Sequence, residues 1–102
     1  MTIDELTEDG SGLITDIEIS PKRKVRALVE AADQVVNGLG CVCKVNADYD
    51  SEGAKTHLTV VNCKDGKEMY KLSVVKVGED RNAVKVCPLT KQARLYLEDM
   101  YE

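Results

Sequence analysis

The residues best suited to bind a ligand are four basic side chains grouped where a helix is expected to begin. Ser20 is a typical N-cap residue, and Pro21 suits the first helical position. Free backbone N–H groups and the positive end of the helix dipole would act together with basic side chains, so this arrangement favours a phosphate or another anion. The predicted anion-binding residues are Lys22, Arg23, Lys24 and Arg26.

The same basic cluster also has a purely structural interpretation. Basic residues at the N-terminal end of a helix are unfavourable by roughly a few tenths of a kcal/mol each. The preceding residues, 1–19, contain six acidic residues and no basic residue. These acids, Asp16 and Glu18 among them, would neutralise the helix start, and charge runs are usually solvated surfaces. The sequence leaves open whether the leader or an external anion compensates the cluster.

The four cysteines, Cys41, Cys43, Cys63 and Cys87, do not have the spacing of a zinc site. Zinc ligands usually come in pairs two to four residues apart on converging turns, whereas here one pair is separated by a single residue and the others stand alone. Cysteine is also among the most frequently buried residue types. We therefore predict reduced, small core residues and no bound metal.

An acidic stretch, residues 48–53, resembles the opening of a calcium-binding loop, with oxygen-bearing side chains at alternate positions and Gly53 at the sixth. A calcium loop needs a bidentate carboxylate at its twelfth position, where this chain has Thr59. The stretch is therefore predicted to be a structural connection between strands.

Catalysis by a Cys–His or Ser–His pair would need His57, the single histidine of the chain. Its strand position places it roughly 20 Å from Cys63, too far for a Cys–His pair, whereas Cys87 or another strand could still approach it. Neither a glycine-rich phosphate loop nor a nucleophile elbow is present. We predict a non-enzymatic protein without a cofactor.

The composition is that of one small globular domain. The 102 residues carry a net charge of −4 and include no Phe or Trp and four Tyr, so the core must be built from aliphatic residues, Ala, Cys and Met. The negative net charge argues against a general nucleic-acid binder but allows a local basic patch. The acidic N-terminus is unlike a signal or transit peptide, and no apolar stretch is long enough to span a membrane. A cytoplasmic protein without a membrane partner is expected.

The predicted domain organisation is a flexible acidic leader, residues 1–12, followed by a single α+β domain, residues 13–102. In the first strand, Leu13 and Thr15 are expected on the buried side, alternating with Asp16. The predicted strands are residues 13–19, 41–47, 56–64, 68–77 and 83–87, and the predicted helices run over 21–37 and onward from the N-cap Thr90.

Each helix has an apolar stripe at helical spacing. Gly38 or Gly40 is expected to end the first helix in a left-handed conformation, and the sequence does not decide between them. The two predicted stripes are Val25, Leu28, Val29, Ala32 and Val36 in the first helix, and Ala93, Tyr96, Leu97 and Met100 in the second.

An Asp65-Gly66 pair predicts a hairpin between the third and fourth strands. A two-residue loop would mix polar and apolar residues on both faces. A three-residue loop, residues 64–66, with Gly66 left-handed in a bulge, instead pairs Val60 with Tyr70 and Leu58 with Leu72. Because this register separates the two kinds of residue, it is the one predicted.

The predicted fold is a two-layer α+β sandwich with the order β-α-β-β-β-β-α. Strands joined by short connections form an antiparallel meander, and both helices pack on one of its faces. The internal α-β-β-β-α order is similar at the level of topology to double-stranded-RNA-binding domains and to frataxin-like sandwiches, which is an analogy of fold and carries no functional motif.

The other face of the sheet is then the candidate partner surface, because exposed apolar residues rimmed by polar ones commonly mark interfaces. The favoured function is a small protein-interaction module, an adaptor, inhibitor or accessory subunit. It would act through this face, an exposed edge or the acidic leader, and would bind a protein partner or a second copy. The alternative is RNA, DNA or phosphorylated-ligand binding through the basic cluster. The predicted partner surface consists of Val61, Cys63, Met69, Lys71 and Val75.

Overall fold

The computed structural model describes residues 3–15, 24–39, 43–49, 56–79 and 81–101. Within these ranges the chain is an α+β fold with one open six-stranded antiparallel sheet and two helices, which confirms the predicted class. The elements are β1 (Glu5–Leu6), β2 (Gly12–Ile14), α1 (Lys24–Leu39), β3 (Cys43–Tyr49), β4 (Thr56–Asn62), β5 (Glu68–Gly78), β6 (Arg81–Pro88) and α2 (Lys91–Met100).

The strand order across the sheet is β1-β2-β6-β5-β4-β3. Helix α1 therefore connects β2, which is next to β6, with β3 at the other end of the sheet. The predicted order lacked β1, because a strand of two residues is too short to show any alternation in the sequence. Residues 16–23 lie outside the described residues, and so do most of the predicted first strand and the predicted helix start.

Strand β2 has the opposite sidedness from the one predicted. Ile14 is fully buried in the hydrophobic core and pairs with Val84, whereas Leu13 pairs with Lys85 and lies on the other side of the sheet. Both residues are buried, with Leu13 8% exposed. Two adjacent large apolar residues fit either register, so alternation alone misassigned them.

The buried stripe of α1 is rotated by about one residue from the predicted one. Val29, predicted to be buried, is 46% exposed. Alanines have a weaker hydrophobic signal than valines, but their small side chains allow a helix to approach a sheet closely. Gly38 lies within α1 and has no positive φ, so it does not supply the predicted left-handed end, and Gly40 is outside the described residues. The buried residues of α1 are Ala27, Leu28, Ala31, Ala32 and Val35.

Helix α2 begins as predicted at Thr90, whose hydroxyl accepts a hydrogen bond from the Ala93 N–H at 3.0 Å. Ala93, Leu97 and Met100 are buried. Tyr96 was predicted in the buried stripe but is 37% exposed, and its hydroxyl accepts a hydrogen bond from the Gln92 amide. The prediction that Ala93, Leu97 and Met100 are buried is confirmed.

One hydrophobic core takes side chains from both helices and from one face of the sheet. Tyr70 is fully buried there, and its hydroxyl donates a hydrogen bond to the Ala93 carbonyl at 2.5 Å, which ties β5 to α2. Helix α1 packs against β4, β5 and β6. A buried tyrosine needs such a partner for its hydroxyl, so this bond fixes where α2 can lie.

The β4–β5 hairpin has the predicted register in its strands and a different loop. Val60 pairs with Tyr70, and Leu58 with Leu72. The loop, however, has four residues, 63–66, because Asn62 rather than Cys63 bonds to Lys67. Gly66 is left-handed as predicted, with φ +72°.

Two Asx turns, in which an Asn or Asp side chain accepts the N–H group two residues further on, stabilise the longer loop. The Asn62 side-chain oxygen accepts the Lys64 N–H at 2.8 Å, and the Asp65 carboxylate accepts the Lys67 N–H at 2.9 Å. The additional residue is compensated inside the strands, where the register shifts after Val60, so that Val61 pairs with Glu68. The bulge therefore lies in β5 and not in the turn.

Residues assigned to the leader contribute to the described fold. Ile3 is 2% exposed and bridges to Tyr101, and β1 pairs with β2. At Gly12 a Cβ atom would lie 2.9 Å from Ile3 Cγ2, so the glycine gives Ile3 its place in the core. The flexibility of this leader stays a prediction, but the Ile3 side chain belongs to the same core as the domain.

Candidate functional site: the reverse face of the sheet

The sheet has two faces of different composition, because residues paired across neighbouring strands share a face. The core face carries Leu58, Val60, Tyr70, Leu72 and Val86, all at most 2% exposed. We call the opposite side the reverse face. Its members include Leu13, His57, Thr59, Val61, Glu68, Lys71, Ser73, Val75, Ala83, Lys85 and Cys87, and β3 adds the register positions of Lys44, Asn46 and Asp48.

The reverse face is partly apolar and partly exposed. Ala83 and Thr59 are buried at 0% and 7% exposure, while Lys71 is exposed. Val61 and Val75 are both half-buried. Valines in half-open positions among lysine, threonine and serine form the mixed surface that is typical of a docking site.

The structure brings together three of the five predicted partner residues. Val61, Lys71 and Val75 lie on the reverse face, and Cys63 is exposed but belongs to the β4–β5 loop. Met69 is 4% exposed and packs in the hydrophobic core, so its assignment to an exposed surface was wrong. The bulge in β5 explains this, since it inserts Met69 as an additional residue and shifts the alternation there.

The basic cluster is described only in part. Lys22 and Arg23 lie outside the described residues, α1 includes Lys24 as its first residue, and Arg26 is exposed. The first turn of α1 contains no acidic residue. Anion binding by these four residues stays a prediction.

The acidic leader contacts the reverse face through Asp9. This carboxylate accepts hydrogen bonds from the Thr7 hydroxyl and the Ser11 N–H, and it forms a 3.1 Å ion pair with Lys85 on β6. These interactions, the Thr7 hydrogen bond first, hold the pKa of Asp9 well below its ordinary value of 3.8. The pairing predicted between the leader and the basic cluster involves residues 16–23, which lie outside the described residues. The pairing of Asp9 with Lys85 was not predicted.

Within the described part of the chain, no group of three or more His, Cys, Asp or Glu residues is placed to hold a metal ion. Cys41 and residues 50–53 of the acidic stretch are outside it. Cys43 and Cys87 are half-buried.

The histidine lies on the reverse face, where His57 pairs with Ser73, one row away from the row that contains Cys87. Two strand spacings and one row separate His57 and Cys87, which gives about 12 Å between their Cα atoms. Because strand side chains stand roughly perpendicular to the sheet, these two are not placed as a Cys–His pair.

A shallow pocket, which the sequence did not indicate, lies between the β4–β5 loop and the start of α2. Its volume is about 250 Å³, and Lys67, Met69 and Lys91 are among its lining residues. Two of its polar side chains already have partners, since Thr90 caps α2 and Asp65 accepts the Lys67 N–H. The reverse face is therefore the better candidate site.

Comparisons of the chain with protein-family models, with curated proteins and with solved structures find no match. Neither described helix combines the length and the apolar character that crossing a membrane requires.

Proposed function

We propose that this chain is a small non-enzymatic protein-interaction module, an adaptor, inhibitor or accessory subunit, that docks a protein partner through the reverse face. The proposal includes a two-layer arrangement in which both helices cover the core face and leave the reverse face free. The observation that carries it is that Val61 and Val75 are half-buried on the reverse face, whereas the residues named on the core face are at most 2% exposed.

The participation of both helices in the core supports this arrangement. Ala31 and Val35 of α1 and Leu97 of α2 belong to the same core cluster as Leu72 and Val86 of the sheet. Their apolar stripes are therefore used against the core face. The apolar residues of the reverse face are then available to another molecule.

The simplest occupant of the reverse face is a second copy of the chain. A patch that binds itself about a two-fold axis gives a closed dimer and needs no further surface. A different protein bound to the same valines is the other form of the proposal. Both forms predict that Val61 and Val75 lie within the contact.

The test uses Val61→Lys and Val75→Lys, with Val29→Lys as the matched control, because Val29 is exposed on α1 and away from the sheet. Light scattering over a range of concentrations is expected to show a wild-type mass above that of the monomer, and the two reverse-face variants are expected to lower it. If the wild type is monomeric, the variants serve as baits in host lysate. The reverse-face variants should then lose the proteins that the wild type and the control retain, and equal capture by all four would contradict the proposal.

Nucleic-acid or phosphate binding is the second candidate, and the exposed Arg26 and the acid-free first turn of α1 favour it. It predicts salt-dependent retention on heparin or an oligonucleotide, since phosphate contacts release counterions. Changing residues 22–24 together to alanine should abolish this retention. A control with Lys64, Lys67 and Lys76 changed to alanine removes the same charge and should keep it.

A further inference from the structure

Strand β3 forms one end of the sheet. Among the described strands it pairs only with β4, and it is seven residues long, whereas β1 at the other end has two residues. A long edge strand presents backbone donors and acceptors along its outer side, which another strand can pair with. The β3 edge is therefore the larger of the two sites for strand addition.

The hydrophobic core is incompletely covered at this edge. Val45 pairs with Val60 on the core face, and Val60 is fully buried while Val45 is 38% exposed. Helix α1 packs over β4, β5 and β6. An apolar residue of the core side thus remains accessible at the outermost strand.

The charges along β3 are complementary to those of a second, antiparallel β3. Lys44 and Asp48 lie at reverse-face register positions, symmetrically placed about Asn46. When a copy is related by a two-fold axis through Asn46, Lys44 lies opposite Asp48 of the copy, and Asp48 opposite its Lys44. Val45 lies opposite Ala47 on the core side.

The register centred on Asn46 differs from the registers shifted by two residues in either direction. It is the one that pairs all seven residues of β3, from Cys43–Tyr49 to the same range in the copy. A shift by two residues in one direction places Lys44 opposite Asn46 and removes the charge pairs. A shift by two in the other direction places Lys44 opposite Asp50, beyond the end of β3, and pairs five of the seven β3 residues instead of all seven. Opposite charges directly across a strand pair are stabilising, and like charges are destabilising.

We propose that β3 pairs antiparallel with β3 of a second copy, centred on Asn46, so that two six-stranded sheets become one continuous sheet. The two-fold axis is then perpendicular to the sheet, which keeps the two core faces on one side and the two reverse faces on the other. The dimer covers Val45 and doubles the surface available for docking. It goes beyond the proposed function and does not depend on anything binding to the reverse face.

The lysine on this edge needs a separate argument, because lysines on edge strands usually prevent pairing. Lys44 alone would bring two positive charges together only in a register centred on itself. With Asp48 four residues further on, the charges favour the centred register over the one that pairs Lys44 with Asn46, and the length of β3 favours it over the register shifted the other way. Lys44 and Asp48 together therefore favour antiparallel pairing in the centred register, whereas a lysine without this aspartate would oppose it.

The test is sedimentation or light scattering of Lys44→Asp and Asp48→Lys, alone and mixed. Each single variant places like charges opposite each other at both symmetric pairs, and its dimer is expected to weaken about tenfold or more. An equimolar mixture restores opposite charges at both pairs, so it is expected to form a heterodimer as stable as the wild-type dimer. The double swap Lys44→Asp/Asp48→Lys is expected to recover the homodimer.

Lys64→Asp is the control. Lys64 is exposed in the β4–β5 loop, and this substitution changes the net charge by the same amount as Lys44→Asp. Circular dichroism checks that each variant is folded. A wild type that is monomeric at all concentrations overturns the proposal, and so does a dimer that Lys44→Asp leaves intact. A dimer lost in Val61→Lys and Val75→Lys but kept in Lys44→Asp also overturns it, while supporting self-association through the reverse face. Loss in the edge variants with recovery on mixing establishes the edge dimer.

Discussion

The two faces of the sheet are made by the same strands and yet have different environments. Leu72 and Ser73 are consecutive residues of β5, and Leu72 is fully buried in the core while Ser73 is half-buried on the reverse face. The difference arises because both helices contribute their apolar stripes to one cluster. The described hydrophobic core therefore draws its strand side chains from one side of the sheet.

The largest expected difference between the faces is in the free energy of unfolding. Leu72→Ala should lower it by about 2–5 kcal/mol, because it removes buried methyl groups and leaves a cavity. Ser73→Ala should change it by at most about 0.5 kcal/mol. Urea unfolding followed by circular dichroism measures both. Similar losses for the two variants would mean that the faces are equally buried.

The N-terminal segment gives a second comparison, because its Ile3 side chain packs in the hydrophobic core. Gly12 pairs with Val86, and an added Cβ would overlap Ile3 at 2.9 Å. Gly12→Ala is therefore expected to lower the free energy of unfolding by about 1–3 kcal/mol through overpacking.

The matched control for that variant is Gly78→Ala, where the nearest side-chain atom, Arg81 Cβ, is 3.6 Å from the added Cβ, an ordinary contact. The control should be close to wild type in the same urea experiment. If Gly12→Ala is equally neutral, residues 3–12 do not pack on the domain, and the leader behaves as the sequence predicts.

The hydrogen bond of Tyr70 distinguishes polar interactions inside the core from those outside it. Tyr70→Phe removes the bond to the Ala93 carbonyl and should lower the free energy of unfolding by about 1 kcal/mol. Tyr96→Phe removes an exposed bond with Gln92 and is expected to have a smaller effect. Equal effects in urea unfolding would show that the link between β5 and α2 is not buried.

The smallest expected effect concerns Asp9 beside the reverse face. Folding lowers its pKa below 3.8, so the unfolded chain takes up this proton at a higher pH than the folded chain does. The stabilisation by the carboxylate is therefore complete at neutral pH and decreases as the pH falls below about 4. Unfolding of Asp9→Asn should lack this part of the acid dependence, and an unchanged pH profile would contradict the described turn.

Much of the core face could be predicted from the sequence, since strand alternation is a strong signal when one face is apolar. Leu58, Val60, Tyr70 and Leu72 were assigned to the correct side for this reason. The cap at Thr90 was predictable as well, because it depends on a local hydrogen bond.

The errors arose where tertiary contacts override local pattern. The orientation of α1 follows from alanines that allow close packing against the sheet, and a hydrophobicity pattern favours Val29 instead. The bulge that buries Met69 and the two-residue strand β1 have no clear sequence signal. For the candidate site, Val61, Lys71 and Val75 were predictable from the hairpin register, whereas the pairing of Asp9 with Lys85 required the strand order.

The central claim, a reverse face open to solvent and to a partner, can be measured directly by the effect of a soluble paramagnetic probe on methyl signals. At a concentration where the chain is monomeric, the methyl groups of Val61 and Val75 should relax strongly, and those of Val60 and Leu72 should be protected. Protection of Val61 and Val75 to the same degree as Val60 would show that the chain itself covers the reverse face, and would contradict the account.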